Sequence, residues 1–289
     1  MTEESAQVGW LVDAVCFESY HDELVKAVED AGHLAVSVRR PPPPYHWDDV
    51  DCSYRNSFPP GFCVVTHGDA DLVQRVAKDQ LWTPGVFADV RRYHWSHYYA
   101  YFGNFVLNND YMMLPFSELP RMADFVFENF SVDGRVFVRP DTPLKIFTGQ
   151  CISKEDFDRD YDYLAFNGFP MESLVLVSTP KRILKEWRFV VVEGRVVAGS
   201  EYCDNGTFVA RPADDEKAFQ FARKVAQCGY QPEPVWVLDI CKTNEGRYSV
   251  VEVGAFSFAS LYACDKDAIV GAVSDAALTM HQARHILTD

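Results

Sequence analysis

The stretch PVWVLDICKTNEGRYSVVEV, Pro234 to Val253, decides how this chain is read. It holds two apolar runs, Val235 to Ile240 and Tyr248 to Val253, on either side of Asn244-Glu245-Gly246. Runs rich in β-branched and aromatic residues around a Gly-containing turn predict a hairpin. Each run carries one acid among apolar neighbours, Asp239 in the first and Glu252 in the second. A carboxylate inside an apolar strand is costly to bury, so each acid needs a partner. Adjacent strands allow both acids to face one point, which leaves two readings. They hold a hard divalent cation, as magnesium is held with a nucleoside triphosphate, or they form salt bridges with cations elsewhere in the chain.

The candidate cations lie upstream, in GRVFVRPDTPLKIFTGQ, Gly134 to Gln150. A strand from Arg135 to Arg139 breaks at Pro140, crosses a polar turn and resumes as Lys145 to Gly149. Arg139 and Lys145 would flank that turn, where backbone N–H groups and cationic side chains can converge on phosphate. A third cation, Arg188, sits between Trp187 and Phe189, so strand alternation puts it on the face opposite those two rings. Each taken singly is most simply a solvated surface charge. The order of cation strands first and acid strands later suits a metal–triphosphate site.

The whole chain sets the bounds. Its 289 residues fit two domains, and 48% hydrophobic residues is an ordinary globular value. A formal net charge of −15 argues against a nucleic-acid backbone as the main partner, since that needs a broad basic surface. It leaves a nucleotide possible, because a nucleotide needs only a few local cations. No apolar run approaches the roughly 20 residues of a membrane helix. The acidic start, Met-Thr-Glu-Glu-Ser, lacks the pattern of a signal peptide. The expectation is therefore a soluble, cytoplasmic protein. The eight cysteines are scattered, with no C-x-x-C pair, and read as reduced thiols rather than a zinc or redox site.

From the start, Val8–Ala14 reads as a strand, Ser19–Ala31 as a Ser-capped helix ended by Gly32, and Leu34–Val38 as a second strand. Strand–helix–strand suggests a parallel α/β unit. Pro41 to Pro44 reads as a stiff extended segment. A strand at Phe62–Val65 and a helix at Asp69–Lys78 complete a small N-terminal α/β domain, taken as residues 1–106. The basic and aromatic run Arg91 to His97 reads as a packed interdomain segment, and His67 as a turn histidine. Further on, helices are expected from Ser117 to Phe130, after the capping box Ser153-Lys-Glu-Asp156, from Pro212 to Cys228, and from Asp265 to Ile286. Leu174–Val177 is a short strand. Glu186–Val192 and Arg195–Ala198 form a hairpin on Glu193-Gly194. Hairpins interleaved with helices make residues 107–289 an α+β unit. His281 and His285, four apart on the last helix, read as helix-face residues, and Trp10, Trp82 and Trp187 as core.

VFVRP…LKIFTGQ, VLVSTPKRILKEWRFVVVEGRVVAGSEY and VWVLDI…YSVVEVGAFSFASLY, preceded by LNNDY at Leu107 to Tyr111, together resemble the ATP-grasp superfamily. Within it they are similar to the clade defined by two arginines and a lysine, from phage and bacterial genomes. The resemblance spans about Leu107 to Asp289, and the segment before it resembles the α/β domain that precedes an ATP-grasp module. It implies ATP and Mg2+. Arg139 and Lys145 would contact the phosphates, with Lys145 near a mobile loop. Leu174, Val175, Leu176, Val177 and Ser178 would cup adenine, and Glu186 would join the ATP-binding set. Arg188, with Lys145, would act on the transferred phosphoryl group. Asp239 and Glu252 would be magnesium ligands. Many relatives place a third ligand, Asn, two residues after the Glu. Here that position is Gly254, so Ser257 or water would have to substitute, or activity would be weakened.

The function implied is an ATP-dependent ligase joining a small-molecule or peptide carboxylate to an amine through an acyl phosphate. Such chemistry rests on positioning and on neutralising phosphate charge. One alternative keeps ATP and passes phosphate to another acceptor. A second is a degenerate, non-catalytic protein that binds a nucleotide or a partner.

Overall fold

The computed structural model describes residues 7–39, 53–144, 147–166, 168 and 170–288. Pro41 to Pro44 and Lys145 lie outside the described residues. The chain opens with β1 (Gly9–Asp13), α1 (His21–Asp30), β2 (Leu34–Val38), β3 (Cys63–His67), α2 (Ala70–Asp79) and β4 (Thr83–Gly85). These strands form a parallel sheet in the order β2-β1-β3-β4. The expected Ser19 cap is corrected: Tyr20 is the residue before α1, and no side chain caps the helix. Packing holds this entry instead, because the buried Tyr20 ring stacks on Phe17. Asp69 does cap α2, accepting from the Leu72 amide at 2.7 Å.

After α3 (Trp95–Phe102) come β5 (Tyr111–Pro115), α4 (Ala123–Phe130), β6 (Arg135–Pro140), β7 (Gln150–Ser153), α5 (Phe157–Phe166) and β8 (Leu174–Ser178). They build an antiparallel sheet ordered β5-β8-β6-β7. Its Val136, Val138, Val175 and Val177 face a core with α4 and α5, while Phe137 and Leu176 face the rest of the molecule. The strand that pairs with β6 is Gln150–Ser153, and residues 147–149 of the expected strand Lys145–Gly149 lie before it. Val138 is the last residue of β6 opposite β7, and Arg139 lies opposite Leu176 of β8. Gly149 fits here because a Cβ would sit 2.5 Å from the Phe137 ring.

The remaining elements are β9 (Ile183–Val192), β10 (Arg195–Asp204), β11 (Thr207–Pro212), α6 (Glu216–Ala226), β12 (Val235–Thr243), β13 (Tyr248–Ala255) and α7 (Lys266–Thr288). The five strands form an antiparallel sheet in the order β11-β10-β9-β12-β13. Glu193 and Gly194 both have positive φ, 48° and 74°, as a two-residue hairpin turn requires. The sixth helix starts at Glu216 rather than Pro212, because Thr207–Pro212 is extended and Asp215 supplies the cap. β11 is almost wholly exposed and shows no alternation that would have marked it.

Side-chain alternation gives this sheet two faces. Trp187, Phe189, Trp236 and Leu238 pack into a core with α3 and α6. Val190, Val192, Val235 and Val237 point the other way, into a cluster shared with β1, α1 and α7. The last helix thus closes onto the first sheet, and the Trp10 indole donates to Ser274 Oγ at 3.1 Å. No helix among the described residues is long and apolar enough to cross a membrane.

Candidate active site

The register of the five-stranded sheet lines up one polar row. Ser200 on β10 lies opposite Arg188 on β9, Arg188 opposite Asp239 on β12, and Asp239 opposite Glu252 on β13. Directly opposed residues bring their side chains into contact. The row sits on the face that carries Val190 and Val237, beyond the end of the apolar cluster. The hairpin read from Pro234 to Val253 therefore does bring its two acids side by side.

Arg188 and Asp239 are buried. The guanidinium donates through Nε to Asp239 Oδ1 at 2.8 Å and through Nη2 to Oδ2 at 2.7 Å. Nη1 donates to the Ser260 carbonyl at 3.0 Å, and the Tyr262 ring lies 5.3 Å from the guanidinium carbon. Burial opposes the Arg188 charge, but Asp239 outweighs it and raises the pKa well above the ordinary arginine value.

Arg139 reaches the row from the facing sheet. Its Nη2 donates to Glu252 Oε2 at 2.9 Å, and its guanidinium lies 3.6 Å from the centre of the Trp95 ring. Its Nε–H is buried and has no acceptor among the described residues. Trp95 is held in place because Asp141 accepts from the Ser96 amide at 2.7 Å and the Asp141 carbonyl from the Trp95 amide at 3.1 Å. The aromatic run read as interdomain packing is thus the floor beneath Arg139.

Arg139 and Glu252 stand between two cavities. The first, about 280 Å³, lies between the two antiparallel sheets and is lined by Phe137, Gly149, Lys181, Glu186 and Tyr202 among others. Burial pushes the Glu186 carboxyl up, opposed by a hydrogen bond from Tyr202 Oη at 2.9 Å. The second, about 230 Å³, lies toward the first sheet and is lined by Arg188, Gly254 and aromatic rings.

The strand Leu174–Ser178 is placed behind the first cavity, and none of its residues lines either one. The residues expected to cup adenine, Leu174, Val175, Leu176, Val177 and Ser178, are thus not among those that line these two cavities. Both edges of β8 are paired, with β5 and with β6, and Val175 and Val177 are turned into the other core. What reaches the cavity is the connection that follows: Lys181 and Ile183 line it, and Lys181 is held by Asp110 at 2.7 Å. Sequence reasoning missed Lys181 and Tyr202; the position of TPKR between two strands of different sheets was the available signal. Ser257 is corrected as a stand-in ligand: it is buried, and its Oγ accepts from the Phe87 amide at 2.9 Å. His67 is a core residue rather than a turn residue, with Tyr20 Oη 3.1 Å from Nε2 and the Phe17 ring stacked on it at 4.4 Å. His281 is spent on the Gly61 carbonyl, 2.8 Å from Nε2.

A family profile matches residues 114–273; it describes family 3 of the ATP-grasp clade named for its two arginines and one lysine. The chain belongs to this ATP-grasp family. The ATP-grasp fold extends over nearly the whole length. A D-cycloserine synthetase superposes with a TM-score of 0.58 at 13% identity, covering 93% of this chain and 99% of its own. A D-alanine–D-alanine ligase from Bacillus anthracis gives 0.58 at 10% identity, over 97% of this chain and all of its own (100%). An N5-carboxyaminoimidazole synthetase from Staphylococcus aureus, complexed with ADP, gives 0.55 at 11% identity over 93% and 77%. No curated protein matches the chain in sequence. Within this ATP-grasp frame, the matched region contains Arg139, Arg188, Asp239 and Glu252, and ends inside α7.

Proposed function

We propose that this ATP-grasp chain is an ATP-dependent carboxylate–amine ligase. The observation that carries the reading is the row Arg188–Asp239–Glu252, met by Arg139 from the opposite sheet at the junction of two cavities. The inter-sheet cavity takes the nucleotide. Its adenine end lies by the Thr179–Ile183 connection, Glu186 faces the sugar, and the phosphates run toward Arg139. The buried Nε–H of Arg139, without an acceptor among the described residues, suits an anion there. Lys145 is assigned to the phosphates on the family resemblance. Residues 107–289 are taken as the ATP-grasp unit and 1–106 as the unit that closes the second cavity.

The donor set also fits magnesium. Asp239 and Glu252 are two hard carboxylates in register, and no cluster of three acidic, His or Cys side chains is found among the described residues. Magnesium keeps most of its shell as water and phosphate oxygen, so two carboxylates suffice. Bound there, it would neutralise phosphate charge.

The chain's own groups then do the rest. A substrate carboxylate oxygen attacks the γ-phosphorus, the bond to the β-phosphate oxygen breaks, and ADP leaves. Arg188, held rigidly by Asp239 and Ser260, presents fixed positive charge to the acyl phosphate. The amine attacks the acyl carbon, the carbon–oxygen bond to phosphate breaks, and phosphate leaves as the nitrogen loses a proton. The aromatic rings that line the second cavity would help to shield the acyl phosphate from hydrolysis.

The test is calorimetric binding of ATP with and without magnesium, for the parent chain, Arg188→Ala and Glu252→Ala. Magnesium-dependent binding that Glu252→Ala abolishes supports the reading, and a screen of acids and amines for ADP release follows. Absence of nucleotide binding under every condition sinks it. Gly254 and the two closed ion pairs favour one rival, a nucleotide-binding protein without catalysis. That rival expects magnesium-ATP to bind and no acid to trigger ADP release.

A further inference from the structure

Arg188 is aimed by residues far outside the cavities it serves; this step rests on the ligase reading and deepens it. The guanidinium spends three donors, Nε and Nη2 on Asp239 and Nη1 on the Ser260 carbonyl. One N–H on Nη1 and one on Nη2 are left for a ligand. Asp239 is fixed by strand register, whereas the Ser260 carbonyl belongs to the connection between β13 and α7, residues 256–265.

The peptide that joins Ser260 to Leu261 is held at both ends. Its carbonyl accepts from Arg188 at 3.0 Å, and its N–H donates to Tyr20 Oη at 3.1 Å. Tyr20 Oη in turn lies 3.1 Å from His67 Nε2. Tyr20, His67 and Leu261 are all buried, so each polar group there needs its partner. The phenol oxygen accepts from Leu261, so its own proton goes to His67. The imidazole is then neutral, with its proton on Nδ1. Burial agrees: it lowers the His67 pKa from the ordinary histidine value to about 3, with the Phe256 carbonyl opposing and Lys266 assisting. The donors thus run in one direction, from Arg188 through the peptide and the phenol to His67. Hydrogen bonds aligned in this way strengthen one another.

The connection is also strained. Tyr262 has a φ of 45°, a left-handed conformation that is costly for a bulky residue. Its neighbours hold it there. Lys266 Nζ donates to the Tyr262 carbonyl at 2.9 Å and to the Cys264 carbonyl at 2.7 Å, and the Ala263 amide donates to Ser200 Oγ at 3.2 Å. Strain that the surroundings over-determine collects at functional sites. Neither Tyr20 nor His67 lines either cavity beside Arg139, so any effect they have on a ligand passes through this connection.

We propose that Tyr20 and His67 are positioning residues for Arg188: they pin the peptide between Ser260 and Leu261 from behind, so that the two remaining N–H bonds of the guanidinium meet the transferred phosphoryl group. Tyr20 precedes α1 and His67 ends β3, which gives the parallel α/β segment a part in the site.

The experiment is calorimetric titration of the full chain with magnesium-ADP and with the magnesium complex of the β,γ-imido analogue of ATP. The ratio of the two affinities isolates the γ-phosphoryl group, and Arg188→Lys sets the scale for disturbing its contact. Tyr20→Phe removes only the hydroxyl. It is expected to leave ADP affinity within about twofold and to weaken the analogue about fivefold, roughly the worth of one hydrogen bond. His67→Leu takes away the acceptor of the phenol and is expected to shift the ratio the same way; it decides the matter if Tyr20→Phe does not fold. The 15N spectrum of the parent is expected to show His67 neutral near pH 7 with its proton on Nδ1, and a proton on Nε2 overturns the relay. Both nucleotides weakening together, or neither, overturns the proposal, because a residue that only stabilises the fold does not tell them apart. If Arg188→Lys leaves the ratio unchanged, Arg188 does not face the γ-phosphate and the proposal falls, while magnesium-dependent ATP binding keeps the ligase reading. If no nucleotide binds, the ligase reading fails and takes this proposal with it.

Discussion

Two guanidinium–carboxylate pairs meet at one site, yet they are built differently. Arg188 and Asp239 are neighbours on adjacent strands of one sheet, bidentate, with side chains 8% and 2% exposed. Arg139 and Glu252 come from two sheets, meet at 2.9 Å, and are 13% and 23% exposed. The first pair is fixed by strand register before any ligand arrives. The second depends on how the two sheets stand against each other. The proposed ligase reading would use both kinds, a rigid charge for the reacting group and a contact that can be exchanged for phosphate.

The largest expected effect breaks the rigid pair. Arg188→Ala removes the bidentate partner of a buried carboxylate and should cost about 3–5 kcal/mol in urea unfolding. Arg188→Met combined with Asp239→Leu should recover most of that loss, because it removes both charges and roughly keeps the volume. Arg139→Ala loses one charge-assisted hydrogen bond and the contact with Trp95, and should cost about 2 kcal/mol. In nucleotide binding the order should reverse, with Arg139→Ala the more damaging. Equal stability losses for the two single variants, or equal losses of ATP affinity, would erase the distinction between the pairs.

The difference between the pairs also separates what was legible in the sequence from what was not. Strand alternation put Arg188 on the face away from Trp187 and Phe189, and the Asn244-Glu245-Gly246 turn set Asp239 beside Glu252. Both are local signals, and both hold in the structure. The reading that the acids pair with the cations holds as well. The start of β7 at Gln150 was not legible, because no residue type before it marks where the ladder resumes. The place of Leu174–Ser178 in its sheet was not legible for a related reason. An apolar strand looks the same whether its edges are open or paired, and here β5 and β6 occupy both. Trp95 beneath Arg139 joins residues far apart in sequence, and no period or spacing reports such a contact.

A third acid sharpens the comparison by having a phenol as its partner. Glu233 accepts from Tyr93 Oη, and burial pushes its carboxyl from 4.5 up to about 7. A raised folded-state value means the folded chain holds a proton that the unfolded chain has released. The stability contributed is therefore complete below about pH 4.5 and lost as pH rises through about 7. Glu233→Gln cannot titrate, so relative to the parent it should gain on the order of 1–2 kcal/mol between pH 5 and pH 8. Thermal melts at the two pH values check this. A constant difference between the two proteins would mean that Glu233 is ionised in the fold throughout.

The smallest expected effect tests whether the exchangeable pair lacks a metal ligand. Gly254 lies two residues past Glu252, where the family resemblance implies Asn, and it lines the second cavity. A Cβ there would stand 3.1 Å from Val237 Cγ2, the end of a side chain that can shift by a few tenths of an ångström. Gly254→Asn should therefore fold, at a cost of about 1 kcal/mol for crowding. If the amide joins Glu252 and Asp239 around magnesium, the magnesium concentration needed for half-maximal ATP binding should fall several-fold. Arg139→Ala in the same background should then lose less affinity than it does alone, because the added ligand holds the metal–phosphate end without help from the facing sheet. If the magnesium requirement does not move, Gly254 is no vacancy in the metal shell, and the two-carboxylate arrangement is complete in itself.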